Sequence, residues 1–410
     1  MNKRKIINDP VYGFISIPSE LIYDLIEHPW FQRLRRIKQL GMAEFVYPGA
    51  LHTRFHHALG AMHLMDQALH TLEQKGHMIW QPEREAALCA ILLHDIGHGP
   101  FSHVMESVIL KSVHHEHISF LLMNEMNKEM GGRLDMAIQM FRGNYPRKFF
   151  HQLISSQLDM DRLDYLNRDS FYSGVAEGTV GADRIIKMLD VSKDQLVVEE
   201  KGILSIENFL NARRLMYWQV YLHKTAHCAE NMLLLIIKRA RELMHAGEPL
   251  FATSSLRLFL IQQPDLQTMK ENRELLHLFT TLDDYDIIAS IKEWTLSTDP
   301  ILSTLSRMLL NRKLFKIRFY KDEPGKSEIE EIKNEMRANG TPESYLEYLV
   351  ISGKSTNSAY VTNKEPIRIK MKNGQLLDIA DASDLPAIKA LSKIVTKFYI
   401  CWAKNVSLRE

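Results

Sequence analysis

The run His94-Asp95-Ile96-Gly97-His98-Gly99-Pro100-Phe101-Ser102-His103 follows an apolar series, Ala86, Ala87, Ala90, Ile91 and Leu92, that recurs at helical spacing. Pro82, Glu83 and Glu85 stand where a helix begins, since proline there gives up no donor the helix needs and acids favour the positive end. Gly97, Gly99 and Pro100 stop the helix just past His94 and Asp95. The spacing thus predicts a largely buried helix that ends at a His-Asp pair. Adjacent residues cannot share one face of a regular helix, but at a helix end, where Gly97 permits a change of direction, both side chains can converge on one cation. Taken alone, such a pair is most often a helix-terminal or surface pair.

Outward from it, Arg54-Phe55-His56-His57-Ala58-Leu59-Gly60 offers an imidazole at His57, and Asp159-Met160-Asp161-Arg162-Leu163-Asp164-Tyr165 offers a carboxylate at Asp161. A set of two histidines and two aspartates suits Mn, Fe, Ni or Zn and leaves coordination positions for water and a phosphate oxygen. The chain has 18 histidines, and His52, His56, His57, His63, His94, His98, His103, His114, His115 and His117 crowd the N-terminal third. Such crowding raises the odds of a metal or acid–base site.

The bulk numbers narrow the classes. With 410 residues, 45% hydrophobic and 25% charged, the chain can bury a large core plus a smaller lobe. Its 51 basic residues against 50 acidic ones give a formal charge of +1, so a global field for polyanions is absent and a dedicated nucleic-acid binder is disfavoured. Cys89, Cys228 and Cys401 lie far apart, which fits neither a disulfide framework nor a thiolate zinc site. The basic start lacks an apolar stretch after it, and no apolar run approaches the roughly 18 residues of a membrane span. A cytoplasmic protein without membrane contact is expected.

The expected fold class is mainly α: a helical core over residues 1–311 and a smaller C-terminal α+β lobe over 312–410. A short hairpin is expected near 195–206, where Leu196 to Glu199 and Ile203 to Ile206 flank Lys201-Gly202, and a long helix from about Glu207 to His245. In the lobe, Leu314 to Tyr320 alternates at strand period, a charged helix covers Ser327 to Arg337, and strands recur at Tyr345 to Ile351, Ile367 to Met371 and Phe398 to Trp402. Asn373-Gly374 marks a hairpin turn.

The order of a lone His, the His-Asp pair and a distant Asp resembles the HD-domain phosphohydrolases. Ile6 to Gly13, Phe31 to Gly41, Tyr47 to Ala50, His94 to His103 and Asp161 to Asp169 further resemble the deoxynucleoside triphosphate triphosphohydrolases. The branch in question includes the sterile-alpha-motif and HD-domain enzyme, although residues 1–5 leave no room for that module before residue 6. The resemblance is firm over about the first 240 residues and an outline beyond.

It implies that His57, His94, Asp95 and Asp161 hold one divalent transition metal, with Mg accompanying the triphosphate. It implies that His103 works on the leaving oxygen and that His98, Glu106, His115 and Glu116 are the surrounding acid–base residues, Glu106 standing where the best-known relative has Asp. Arg54, Arg162 and Arg213 are implied to contact the triphosphate, Gln39 and Leu40 the sugar and base, and Tyr165, Asp169 and Tyr221 the deoxyribose. Lys5, Gln32 and Arg35 resemble a regulatory guanine-nucleotide site between subunits of a homo-oligomer, dimer or tetramer, with Glu27 in place of an Asp.

The residues themselves point the same way. Arg162, Tyr165 and Asp169 stand at i, i+3 and i+7, so one helix presents a cation, a ring and a carboxylate in a row beside Asp161. Arg213, Tyr217, Tyr221 and Lys224 form a second stripe; solvated charges with tyrosines at a core edge explain either stripe equally simply. The predicted reaction is metal-dependent hydrolysis of a deoxynucleoside triphosphate to deoxynucleoside and triphosphate. The competing readings are another HD-type nucleotidase or phosphodiesterase, and a non-catalytic nucleotide- or single-strand-binding protein.

Overall fold

Residues 5–101, 105, 108–357, 360, 366–391 and 395–404 are described by a computed structural model. The molecule is mainly helical, as the sequence predicts, and its C-terminal part is mixed. Ser19 opens α1 (Glu20–Glu27) by accepting a hydrogen bond from the Ile22 amide. Next come α2 (Arg54–Gln74) and α3 (Gln81–Leu93), both largely buried, followed by α4 (His115–Glu129) and α5 (Met160–Ser173). α2 packs against both α3 and α5, and this is the centre of the core. Asp159 caps the start of α5 through the Arg162 amide at 2.7 Å, and Gly174 at φ 73° ends it in the left-handed region.

The expected hairpin falls earlier in the chain. After the pair β1 (Ile6–Asp9) and β2 (Gly13–Ser16), the next hairpin joins β3 (Leu189–Ser192) to β4 (Gln195–Glu199), with Leu189 opposite Val198. Its turn is Lys193-Asp194, both residues at positive φ (51° and 58°), the twist that joins adjacent antiparallel strands. Gly202 is a packing glycine instead: a Cβ on it would lie 2.5 Å from Val198 Cγ1. Ile203 to Ile206 open α6 (Ile203–Met216).

The long helix expected to His245 is broken. A π turn at Tyr217–Tyr221 and a cap at His223, whose ring accepts from the Thr225 amide, separate α6 from α7 (Lys224–His245). π turns cluster at functional sites because they rotate side chains off the regular helical face. α8 (Asp284–Trp294) packs later in the helical body.

Strands β5 (Lys316–Tyr320), β6 (Val350–Asn357) and β9 (Val395–Trp402) form a three-stranded antiparallel sheet with β9 in the middle. The strand expected from Tyr345 begins only at Val350, because Leu346–Leu349 makes a helical turn. The charged helix is α9 (Lys326–Ala338). β7 (Arg368–Lys370) and β8 (Leu376–Asp378) form the Asn373-Gly374 hairpin, and β7 runs parallel to β4 with Ile369 beside Val198. The helical body and the C-terminal strands therefore share a sheet.

Candidate active site

Three helix ends meet at one point. His57 lies in the first turn of α2, His94 follows the last residue of α3, and Asp161 lies in the first turn of α5. Asp161 Oδ1 is 3.1 Å from His57 Nε2 and 3.5 Å from His94 Nε2. Asp95 Oδ1 lies 3.3 Å from His94 Nε2, and its Oδ2 3.8 Å from His57 Nε2.

Both imidazoles are oriented from behind. His57 Nδ1 meets Asp164 Oδ2 at 2.7 Å, and His94 Nδ1 meets the Ile91 carbonyl at 2.6 Å. An acceptor there requires the proton on Nδ1 and leaves Nε2 facing the cluster. Both Nε2 atoms are buried without a hydrogen-bond partner among the described residues. The two orphaned nitrogens and an Asp161 oxygen lie within 4.8 Å of one another, while Asp95 adjoins them and also groups with His98 and His115; histidine nitrogens with carboxylates of this kind fit a divalent transition metal. Burial alone would lower the His57 imidazole, but the Asp161 and Asp164 carboxylates carry it up to about 10, so an incoming cation has to displace a proton.

Behind the cluster a buried ion network fixes the geometry. Arg168 binds both oxygens of Asp164 at 2.9 Å and reaches Asp9 at 2.8 Å, with no exposure of its own. Gly60 on α2 makes room: a Cβ there would lie 1.9 Å from Asp164 Oδ1 and 2.1 Å from Arg168 Nη2. The loop after Asp95 is held as firmly. Buried Arg33 donates to the carbonyls of Ile96, His98 and Leu282, and Asp284 of α8 accepts from the Phe101 amide at 2.8 Å. Gly97 lets the loop touch α4, since a Cβ on it would lie 2.3 Å from the His115 carbonyl.

On the other side of Asp95, His98 Nε2 lies 3.3 Å from Oδ1, and the His98 and His115 rings stack at 3.8 Å. Burial and the nearby Arg54 guanidinium hold His98 well below its usual value, which keeps it neutral. Arg54 pairs with Asp95. Burial would raise that carboxyl, but His94, His98 and Arg54 hold it well below the carboxylate range.

A cavity of about 660 Å³ opens from this cluster. Of the predicted substrate residues, Gln39, Leu40, Arg54, Arg162, Tyr165, Asp169 and Tyr221 line it together with Asp95, Asp161, His98 and His115. Asp169 is fixed at both oxygens, by His52 Nε2 at 2.7 Å and the Tyr221 hydroxyl at 2.8 Å. Arg162 pairs with Asp159. Arg213 is buried beside Tyr165, with two nitrogens that have no hydrogen-bond partner among the described residues.

Other expected residues lie elsewhere. Glu116 is exposed on the first turn of α4 and does not line the cavity. His103 and Glu106 fall outside the described residues. Lys5 donates to the Tyr23 hydroxyl at 2.6 Å, while Arg35 donates to Gln32 at 2.8 Å and stacks on Phe55. No hydrogen bond among the described residues joins Lys5 to that pair. The sequence reading missed a whole wall of the cavity, formed by His227, Glu230, Asn231 and Leu234 of α7 and Tyr399 of β9. The helical spacing from 227 to 234 was the available signal; nothing local marks Tyr399.

Comparison with known proteins places the cluster within a known domain. The HD domain matches residues 54–168 and the HD associated region residues 180–257. The chain is 34% identical over 400 residues to the uncharacterized protein YwfO of Bacillus subtilis, spanning 93% of this chain and 88% of that one. It is 31% identical over 266 residues to the deoxynucleoside triphosphate triphosphohydrolase SAMHD1 homolog of Dictyostelium discoideum, covering 60% of this chain and 51% of that protein. A crystal structure of a phosphohydrolase from Bacteroides thetaiotaomicron superposes with a TM-score of 0.94 at 51% identity, over 98% of this chain and 100% of that one. The chain belongs to the HD-domain phosphohydrolase family.

Proposed function

We propose that the protein hydrolyses deoxynucleoside triphosphates to deoxynucleosides and inorganic triphosphate. The observation that carries the reading is the shared cavity: its volume suits a nucleotide, it opens on the His-Asp cluster, and one helix lines it with Arg162, Tyr165 and Asp169 in register. Likeness to SAMHD1 proteins supports the same substrate class.

In this proposal His57, His94, Asp95 and Asp161 hold one transition metal, Mn, Fe, Ni or Zn, and Mg travels with the triphosphate. The bound cation supplies Lewis-acid polarisation of a phosphate oxygen and of the attacking water. Arg54, Arg162 and Arg213 offset the charge that builds on the phosphates; the unpartnered nitrogens of Arg213 favour an anion beside Tyr165. Water adds to the α-phosphorus as its bond to the 5′ oxygen breaks, and His103 gives that oxygen a proton. His98, stacked on His115 and 3.3 Å from Asp95, stands beside the cluster as one of the acid–base residues that receive the water proton. Asp169 and Tyr221, tied to each other, would crowd a 2′-hydroxyl on a sugar packed against them, which favours deoxy substrates.

Chromatography of products from the four deoxynucleotides and their ribo counterparts, with Mn or Mg, tests this. Deoxynucleoside plus intact triphosphate is the expected outcome. Turnover of monophosphates or cyclic dinucleotides alone would assign another HD-type reaction, and absence of any hydrolysis would favour a binding protein. Stimulation of one deoxynucleotide's turnover by another would test the regulatory role of Lys5, Gln32 and Arg35 within a homo-oligomer.

A further inference from the structure

The α7 wall of the cavity is more polar than a wall that merely encloses a base needs to be. Asn231 has spent its amide: Nδ2 donates to the His227 carbonyl at 2.7 Å, and Oδ1 accepts from the Tyr399 hydroxyl at 3.2 Å. Glu230 has not. Among the described residues its polar neighbour is His227 Nδ1, 3.6 Å from Oε2, and the side chain is 24% exposed. His227 is itself held by Ser355, whose hydroxyl lies 3.4 Å from Nε2, and by the edge of Tyr399 at 4.6 Å. The other oxygen, Oε1, lies against Gly41, where a Cβ would sit 3.9 Å away, next to cavity-lining Leu40. A carboxylate with two acceptor oxygens thus lines the cavity together with the apolar Leu40 and Leu234.

We propose that Glu230 makes the site selective for guanine, by accepting hydrogen bonds from the adjacent N1–H and N2 amino groups of a base held between Leu40 and Leu234. This rests on the triphosphohydrolase reading above. Guanine is the base that offers two donors side by side, matching the two carboxylate oxygens in the strong paired geometry. Adenine and cytosine set an acceptor next to their donor, and thymine flanks its one donor with carbonyls; each places an oxygen or nitrogen lone pair against the carboxylate. A site built to satisfy donors rejects a ligand that sets a lone pair against its carboxylate.

The test compares kcat/KM for dGTP, dITP and dATP on the unaltered protein and on Glu230→Gln. dITP carries hypoxanthine, which keeps N1–H and lacks the N2 amino group, so the unaltered protein is probed without any mutation. The expected result is dGTP ahead of both by roughly tenfold or more, with the dGTP advantage shrinking to within about threefold in E230Q, where an amide replaces one acceptor with a donor. Equal kcat/KM for the three substrates, or a dGTP preference that survives E230Q, overturns the inference and leaves the triphosphohydrolase reading intact. Failure to hydrolyse any deoxynucleotide overturns both.

Discussion

The two walls of the cavity are made of different material. On the side of α2, α3 and α5, the lining is backed by charged groups buried almost completely and locked in one network, from Asp9 through Arg168 and Asp164 to His57. On the side of α7 and β9, the contacts are single hydrogen bonds and ring edges, such as Tyr399 on Asn231 and on His227, beside the partly exposed carboxylate of Glu230. Removing one member of a buried ion network leaves an uncompensated charge, whereas removing one neutral hydrogen bond costs about 1 kcal/mol. The first wall therefore admits little change, and the second can vary while the chain still folds. That division matches a fixed reaction centre facing an adjustable recognition surface.

The sharpest way to break the comparison is Gly60→Ala. The added Cβ has to displace Asp164 or Arg168, both without exposure, so a loss of roughly 3–5 kcal/mol is expected, as for splitting a buried ion pair. Urea unfolding of the variant checks it. A near-parental midpoint would mean that the network yields more easily than its burial implies. Next in size is Asp164→Asn, which preserves shape but weakens the acceptor that keeps the proton on His57 Nδ1. Metal affinity is expected to fall by about 10–100-fold, read from metal content against a graded chelator. Unchanged affinity would remove Asp164 from any part in orienting the imidazole.

How far each wall could be read in the sequence follows the same division. His57, His94, Asp95 and Asp161 sit at helix ends that local signals announce: Pro82 and Glu83 at one start, Asp159 at another, Gly97 at a stop. Arg162, Tyr165 and Asp169 needed only the helical repeat. Arg33 and Asp284 hold the loop after Asp95 but carry no local signal, because they act on backbone carbonyls and amides contributed by distant segments. Gly202 misled for a physical reason: glycine serves close packing as readily as turns, and the left-handed turn was supplied by Lys193 and Asp194 instead. The break in the long helix at Tyr217–Tyr221 was hidden because a π turn uses ordinary helix-forming residues. Tyr399 reaches the cavity from a strand 168 residues beyond Asn231, a distance over which periodicity says nothing.

Tyr399→Phe sharpens the contrast from the recognition side. It removes one hydroxyl and its hydrogen bond to Asn231, a loss of about 1 kcal/mol. Under the proposed function the expected kinetic effect is a KM raised several-fold with kcat and metal content unmoved, measured on a deoxynucleotide. A fall in metal content would show that the two walls are mechanically coupled.

The smallest effect is expected where the helical body meets the C-terminal strands. Asp190 of β3 accepts from Lys370 of β7 at 2.7 Å, from the Val191 amide at 2.8 Å, and faces His77 just beyond α2 at 2.5 Å. Burial would raise this carboxyl, but Lys370, His77 and the Val191 amide hold it below the usual carboxylate value of 3.8. A carboxyl depressed in the folded state contributes stability that is fully present above its unfolded value and fades as pH falls through the folded one. Because the pair is partly solvated, Asp190→Asn should cost only about 1 kcal/mol near neutral pH. The cost should then shrink as pH drops below about 4, where the parent's own carboxylate becomes protonated. Paired urea titrations of parent and D190N from pH 7 downward read the difference directly, and acid loss of metal affects both proteins alike. A gap that stays constant into acid would assign the contribution of Asp190 to packing; one that closes shows that a charge at the seam helps hold the strands to the body.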